Sequence, residues 1–217
     1  MEGIKNLVFD FGNVLFDIDL SRIDRHLSLL AGEQYAAARI QLQRNQIFDL
    51  YETGGLSTFD FLEAVRLAVH PPLLAEQVQL AWNSIFIGMP AVRFQMLLQL
   101  RQHYKVFLLS NINALHAAWI ADYMVREHGI TEYESRYFDG VYFSHLIRLR
   151  KPDPEIYEYV LADAELNPQE TVFFDDLEIN VEGARQVGMH AVWHKPGSNI
   201  VERMRLFTEH SGLPDDR

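Results

Sequence analysis

Apolar residues along this chain fall into two kinds of run. The first kind is short and nearly continuous: residues 4–9 (Ile-Lys-Asn-Leu-Val-Phe), 104–109, 171–174 and 190–193, rich in β-branched and aromatic side chains. Strands buried on both faces of a sheet have this texture, because neither face needs polar side chains. Helical spacing fills the intervals. Ala91, Met96, Leu97 and Leu100 lead into the second run, and Val181, Ala184 and Val187, closed by Gly188, separate the third from the fourth. This alternation predicts an α/β fold with a parallel sheet covered by helices.

The second kind of run occupies residues 18 to 88 and carries helical spacing alone. Ile23, Leu27 and Leu30 mark one helix, 40–50 a second, 59–69 a third and 73–86 a fourth. Ser57 is placed to cap the third, and Pro71-Pro72 stops it. The pattern predicts a helical insertion over 17–89 within a discontinuous core of 1–16 and 90–217. Gly12-Asn13 and Gly88-Met89-Pro90 at its flanks would let it move as a lid. The polar stretch from Glu209 onward reads as a frayed tail.

Composition narrows the function classes. With 217 residues and 48% hydrophobic content, the chain can bury a full core and a small accessory unit. It has no cysteine, which removes disulfides, thiolate metal sites and cysteine nucleophiles. A formal charge of −11 argues against a nucleic-acid surface, which needs clustered Lys and Arg. A small anion in a pocket with local donors remains compatible, especially beside a divalent cation. The N-terminal residues lack the basic and apolar regions of a signal peptide, and no run approaches 18 apolar residues. The expectation is a soluble cytoplasmic protein with no membrane partner.

Polar residues gather where the strand patterns end. Asp10 follows the first, Ser110-Asn111 the second and Asp175-Asp176 the third, while Lys151 precedes Pro152-Asp153-Pro154. In an open parallel sheet, C-terminal strand ends converge on one crevice. Asp10 then reads as a nucleophile, a metal ligand or both, or as the Asx turn common at strand ends. Adjacent carboxylates at 175 and 176 suit a divalent cation with oxygen ligands, or a solvated turn. Ser110 and Asn111 offer a hydroxyl and an amide to an anion, or simply a helix cap. Lys151 can pair with Asp10 and bind an anion, or sit on the surface. His26, His103, His145 and His194 lack metal-ligand spacing, and core, surface or rim roles suit them better.

Taken together, Asp10-Phe11-Gly12-Asn13-Val14-Leu15, Leu109-Ser110-Asn111, Lys151-Pro152-Asp153-Pro154-Glu155-Ile156-Tyr157 and Phe174-Asp175-Asp176 resemble the four motifs of the haloacid dehalogenase-like hydrolase superfamily. Glu178–Met189 and Tyr51-Glu52-Thr53-Gly54 also look familial. The resemblance implies a three-layer Rossmann-like core with an inserted α-helical cap. It implies Asp10 as nucleophile and Mg²⁺ ligand, and the Gly12 carbonyl, Asp175 and Asp176 as the other metal-site groups. Ser110 and the Asn111 amide would hold the phosphoryl group of a small phosphorylated metabolite, and Lys151 would neutralise it. Asp17, Asp19, Tyr51, Glu52, Gly54 and Trp82 are the cap's candidates for the leaving group.

Asp10-Phe11-Gly12-Asn13-Val14 and Asp17-Ile18-Asp19 resemble, within that superfamily, the branch of bacterial glucose-1-phosphate phosphatases. Most superfamily phosphatases carry a second Asp where this chain has Gly12, and that residue protonates the leaving group and activates water. Losing general acid–base catalysis forfeits about 10²–10⁴-fold in rate. Sugar 1-phosphates, aryl phosphates and acyl phosphates, whose leaving oxygens bear charge well, suffer least. The competing expectations are a 2-haloacid dehalogenase, which attacks carbon without Mg²⁺, and a catalytically weak protein that binds a partner or phosphometabolite.

Overall fold

Seven strands and twelve α-helices make up the structure, a computed structural model that describes residues 3–210. The strands are β1 (Asn6–Phe9), β2 (Asp17–Ile18), β3 (Phe86–Gly88), β4 (Lys105–Ser110), β5 (Gly140–Phe143), β6 (Thr171–Asp175) and β7 (His190–Trp193). The helices are α1 (Ser21–Ala31), α2 (Gln34–Arg44), α3 (Ile47–Glu52), α4 (Thr58–Leu67), α5 (Ala75–Asn83) and α6 (Ala91–Leu100). After them come α7 (Ala114–His128), α8 (Tyr133–Tyr137), α9 (Ser144–Ile147), α10 (Pro154–Asp163), α11 (Glu178–Gln186) and α12 (Ile200–His210). Glu209 and His210 thus close a helix, and the remainder of the polar tail lies outside the described residues.

Five strands form one parallel sheet in the order β5-β4-β1-β6-β7. Successive side chains alternate between its faces. Leu7, Phe9, Val106, Leu108, Val172 and Phe174 pack on one side with residues of α6, α7 and α12. Val8, Phe107, Leu109 and Phe173 pack on the other with residues of α10 and α11. Both faces are dry, which explains the lack of polar alternation in the sequence. Each fully buried Leu, Val or Phe contributes about 1.5–3 kcal/mol relative to an exposed one.

Register decides where the polar strand ends meet. Phe9 stands opposite Leu108 on one side and Phe174 on the other, so Asp10, Ser110 and Asp175 emerge at the same edge. The chain runs outward from β1 through β4 to β5, then crosses to the other side for β6 and β7. Such a switch in strand order opens a crevice at the strands' C-terminal ends.

The inserted helices α1 to α5 carry their own core, with Leu27, Tyr35, Phe61, Val65, Val78 and Trp82 buried together and joined by Leu115 of α7. The chain enters and leaves through the antiparallel pair β2–β3, too short for the apolar pattern to announce. Ser57 caps α4 by accepting from the Asp60 N–H at 3.1 Å. The helix expected over 40–50 is instead two, because Asn45-Gln46 breaks it with Gln46 in the left-handed region at φ 56°. The edge strand β5 was also not apparent in the apolar pattern.

The insertion is docked against the sheet domain. The Leu115 N–H donates to the Tyr51 hydroxyl at 3.0 Å, and the Ser144 hydroxyl donates to the Glu52 carbonyl at 2.7 Å. Arg150 pairs with Asp49 and, at 3.0 Å, with Glu52. Among the described residues, no helix is long and apolar enough to cross a membrane.

Candidate active site

Lys151 organises the crevice. Its ammonium is buried and donates to Asp10 Oδ1 at 2.6 Å, Asp175 Oδ2 at 2.7 Å and the Leu109 carbonyl at 3.1 Å. Its backbone is clamped by Asn111, which accepts from the Lys151 N–H and donates to the Lys151 carbonyl, each at 2.9 Å. Pro154 then starts α10 at its first turn, where the missing N–H costs nothing. The rigid turn and the clamp deliver one cation to two strand ends.

Asp175 is fully buried and held by four hydrogen bonds from three donors: Lys151, the Leu177 N–H at 2.8 Å, and Asn180 Nδ2 at 3.0 and 3.1 Å to its two oxygens. Asp176 accepts from Asn13 Nδ2 at 3.2 Å, and its carbonyl accepts from the Trp193 indole at 2.8 Å. One oxygen from each of Asp10, Asp175 and Asp176 lies within 4.8 Å of the others.

The charges do not balance within the protein. Three carboxylates share one ammonium, leaving two negative charges uncompensated when all are ionised. Burial pushes the Asp10 carboxyl up to about 7; Lys151 pulls it back, while Asp175 and Asp176 push it further. Burial also raises Asp176, against the Asn13 bond that lowers it. Burial acts to lower Lys151, but the Asp10 and Asp175 carboxylates outweigh it and hold the ammonium at about 12. An all-oxygen cluster with two surplus negative charges is the donor set a Mg²⁺ ion takes, with positions left for water and substrate oxygen.

The position after Phe11 has no carboxylate, and its space is taken. A Cβ on Gly12 would fall 2.8 Å from the terminal methyl of Ile18 in β2. Beyond Gly12, Ser110 and Asn111 opens a cavity of about 230 Å³, walled on the helical side by Ile18, Phe48, Glu52 and Trp82.

A family model for the haloacid dehalogenase-like hydrolases matches residues 4–188. The chain belongs to that family. A D-ribitol-5-phosphate phosphatase of Bacteroides thetaiotaomicron is 29% identical over 204 residues, covering 94% of this chain and 98% of its own. The structure of a HAD-family enzyme from the same organism, in complex with magnesium and inorganic phosphate, matches with a TM-score of 0.79 and 31% identity over 91% of this chain and 97% of the other. A dehalogenase structure matches with a TM-score of 0.59 and 20% identity over 90% of this chain and 87% of its own, a likeness of fold alone.

In this haloacid dehalogenase-like hydrolase, Asp10, Gly12, Ser110, Asn111, Lys151, Asp175 and Asp176 all stand at one edge of the sheet. The other expectations divide. Glu52 and Trp82 line the cavity, whereas Asp17, Tyr51 and Gly54 do not. Asp17 pairs with Arg93 at 2.8 Å. Asp19 accepts from Ser21 and Arg25 at the start of α1. Tyr51 stacks on Phe61 with centroids 4.0 Å apart and fixes the insertion to α7. Gly54, at φ 70°, passes so close to the His145 carbonyl that any Cβ would collide with it.

Several contributors to the hydrolase's site were missed. Asn180 orients Asp175, and its signal lay in the familial stretch from Glu178. Arg150, Phe48 and Ile18 reach the cavity only through tertiary packing, so no local pattern marks them.

Proposed function

We propose that this hydrolase is a magnesium-dependent phosphomonoesterase that works through an aspartyl phosphate on Asp10. Its preferred substrates are small metabolites whose leaving oxygen departs without protonation, such as sugar 1-phosphates and aryl or acyl phosphates. The single observation that carries this reading is the position of the Lys151 ammonium, 2.6 Å from Asp10 and 2.7 Å from Asp175 within the acidic cluster.

Asp10 and the Gly12 carbonyl, with Asp175 and Asp176, would hold Mg²⁺, which supplies charge neutralisation for the transferring phosphoryl group. The second Asp10 oxygen attacks phosphorus, the bond to the leaving oxygen breaks, and its electron pair leaves with that oxygen. The Ser110 hydroxyl and the Asn111 backbone N–H orient the phosphoryl oxygens, and Lys151 balances their charge. Water then attacks the acyl phosphate, freeing phosphate and restoring Asp10. The inserted unit, residues 17–89, closes over the leaving group and excludes bulk water.

The contact between Gly12 and Ile18 supports the leaving-group preference, because an apolar methyl borders the place from which an acid would act. Dehalogenation is the weaker reading: it needs no cation, and the buried acidic cluster would then be an uncompensated cost. The test compares glucose 1-phosphate with glucose 6-phosphate at saturating Mg²⁺, with and without EDTA, beside a 2-chloro acid. The expected result is EDTA-sensitive phosphate release favouring the 1-phosphate. Equal or reversed preference contradicts the leaving-group argument, and EDTA-resistant halide release restores the dehalogenase.

A further inference from the structure

We infer that the leaving-group cavity selects an apolar, ring-bearing alcohol over a polyhydroxy one, so that aryl phosphates rather than sugar phosphates are its best substrates. The inference rests on the phosphatase reading above and specifies the substrate class for the same site.

The first argument is the wall. Ile18, Leu20, Phe48, Trp82, Ile85 and Phe86 line the cavity on the side away from the carboxylates. Phe48 lies parallel to Trp82 (centroids 5.7 Å, 11°), and Trp82 lies parallel to His116 (5.6 Å, 19°), so three rings form one stacked row at the cavity. A flat apolar group can extend contacts of this kind, gaining dispersion and burial together.

The second argument concerns the polar groups, nearly all of which are already engaged. Both polar atoms of the Asn111 side chain are spent on the Lys151 backbone. Asn113 and His116 bond each other, and the second His116 nitrogen meets the Trp82 carbonyl at 3.0 Å. Arg150 is tied to Asp49 and Glu52. Two buried donors without partners remain among the side chains that line the cavity, Trp82 Nε1 and Arg150 Nε. Both are shut off from solvent, so the cavity presents few free donors to a ligand. The hydroxyls of a polyol bring donors as well as acceptors, and beyond the Asp49 and Glu52 carboxylates the helical wall offers them few partners.

The cavity, about 230 Å³, is smaller than the roughly 300–1,000 Å³ of drug-sized sites. One or two fused rings fill such a space, and a macromolecule does not enter it. An aryl leaving group also meets the demand set by Gly12, since a phenolate departs without a proton donor.

Because aryl esters are both apolar and activated, the test separates binding from leaving-group chemistry. Competitive inhibition is measured in the magnesium-loaded enzyme with two non-hydrolysable probes, 2-naphthylmethylphosphonate and a polyhydroxyalkyl phosphonate of similar length. Release of phosphate from 2-naphthyl phosphate and glucose 1-phosphate is followed in parallel. The naphthyl probe should bind about ten- to a hundredfold more tightly, the range that apolar pockets impose for small differences in apolar contact. The ratio should shrink in Phe48→Ser, and also in Trp82→Ala should Phe48→Ser fail to fold. Equal binding of the two probes, or tighter binding of the polyhydroxy one, with magnesium-dependent hydrolysis intact, overturns the inference and leaves the phosphatase reading standing. No magnesium-dependent hydrolysis of either ester overturns that reading, and the inference with it.

Discussion

Ile18 occupies the space that a side chain on Gly12 would need, its terminal methyl lying 2.8 Å from where a Cβ would be built. The two positions form a matched pair, a residue without a side chain and a branched apolar one that fills the gap. Installing an acid therefore requires that terminal methyl to move or to be removed. Gly12→Asp alone should be overpacked by about 1–3 kcal/mol unless Ile18 turns away. Gly12→Asp with Ile18→Ala should raise kcat on an alkyl phosphate by at least about tenfold, a modest part of what acid–base catalysis contributes, and change aryl phosphate turnover far less. Steady-state kinetics on one ester of each type checks this.

Among the described residues, Lys151 is the one cation in contact with Asp10 and Asp175. Lys151→Met removes it without removing the bulk, leaving buried carboxylates to repel one another. The variant should lose turnover and about 3–5 kcal/mol of stability in EDTA, the usual cost of orphaning a buried charge. Saturating Mg²⁺ should return part of the stability and little of the activity, which thermal melts with and without the ion would show.

Ser144 joins the two halves of the molecule. Its fully buried hydroxyl accepts from the Ile112 N–H at 2.9 Å, next to Ser110-Asn111 at the crevice, and donates to the Glu52 carbonyl at 2.7 Å. Ser144→Ala should cost about 1–3 kcal/mol, because it strands buried polar groups. By loosening the insertion it should also raise KM more than it lowers kcat. Unfolding in urea and a KM–kcat comparison test the two parts separately.

Burial pushes His116 down to about 4 from 6.5, against a bond to the Trp82 carbonyl that raises it. A histidine whose folded value lies below its unfolded one favours the neutral form in the fold. Its contribution is present above pH 6.5 and is lost as pH falls from there toward 4, reaching about 3 kcal/mol at most. Thermal stability should drop through that window, and His116→Gln should flatten the drop. The ring spans Asn113 and the insertion's Trp82, so the same protonation should loosen the cavity wall.

The centre of the site was legible in the sequence because parallel strands bring their C-terminal ends together. Asp10, Ser110 and Asp175 each end a buried run, and the prolines after Lys151 marked a rigid turn. The wall of the cavity was not legible. Ile18 lies in a strand of two residues, and Phe48 lies beyond a helix break that a non-glycine residue makes at Gln46. Tyr51 and Gly54 looked like substrate contacts because they are polar or small in a familial stretch. In the structure neither lines the cavity: the Tyr51 hydroxyl accepts from Leu115 and the Gly54 backbone passes close to His145. Such contacts depend on what faces them across the interface, and no local spacing encodes it.

Everything proposed for this site turns on Asp10 carrying the phosphoryl group in a magnesium-dependent reaction. It is tested most directly by phosphate release from an activated ester in wild type and Asp10→Asn, each with Mg²⁺ and with EDTA. Turnover is expected only in wild type with Mg²⁺, with a loss in Asp10→Asn of at least about 10³-fold, as follows when a nucleophile is removed. Turnover by Asp10→Asn near the wild-type rate, or wild-type turnover unaffected by EDTA, would contradict it.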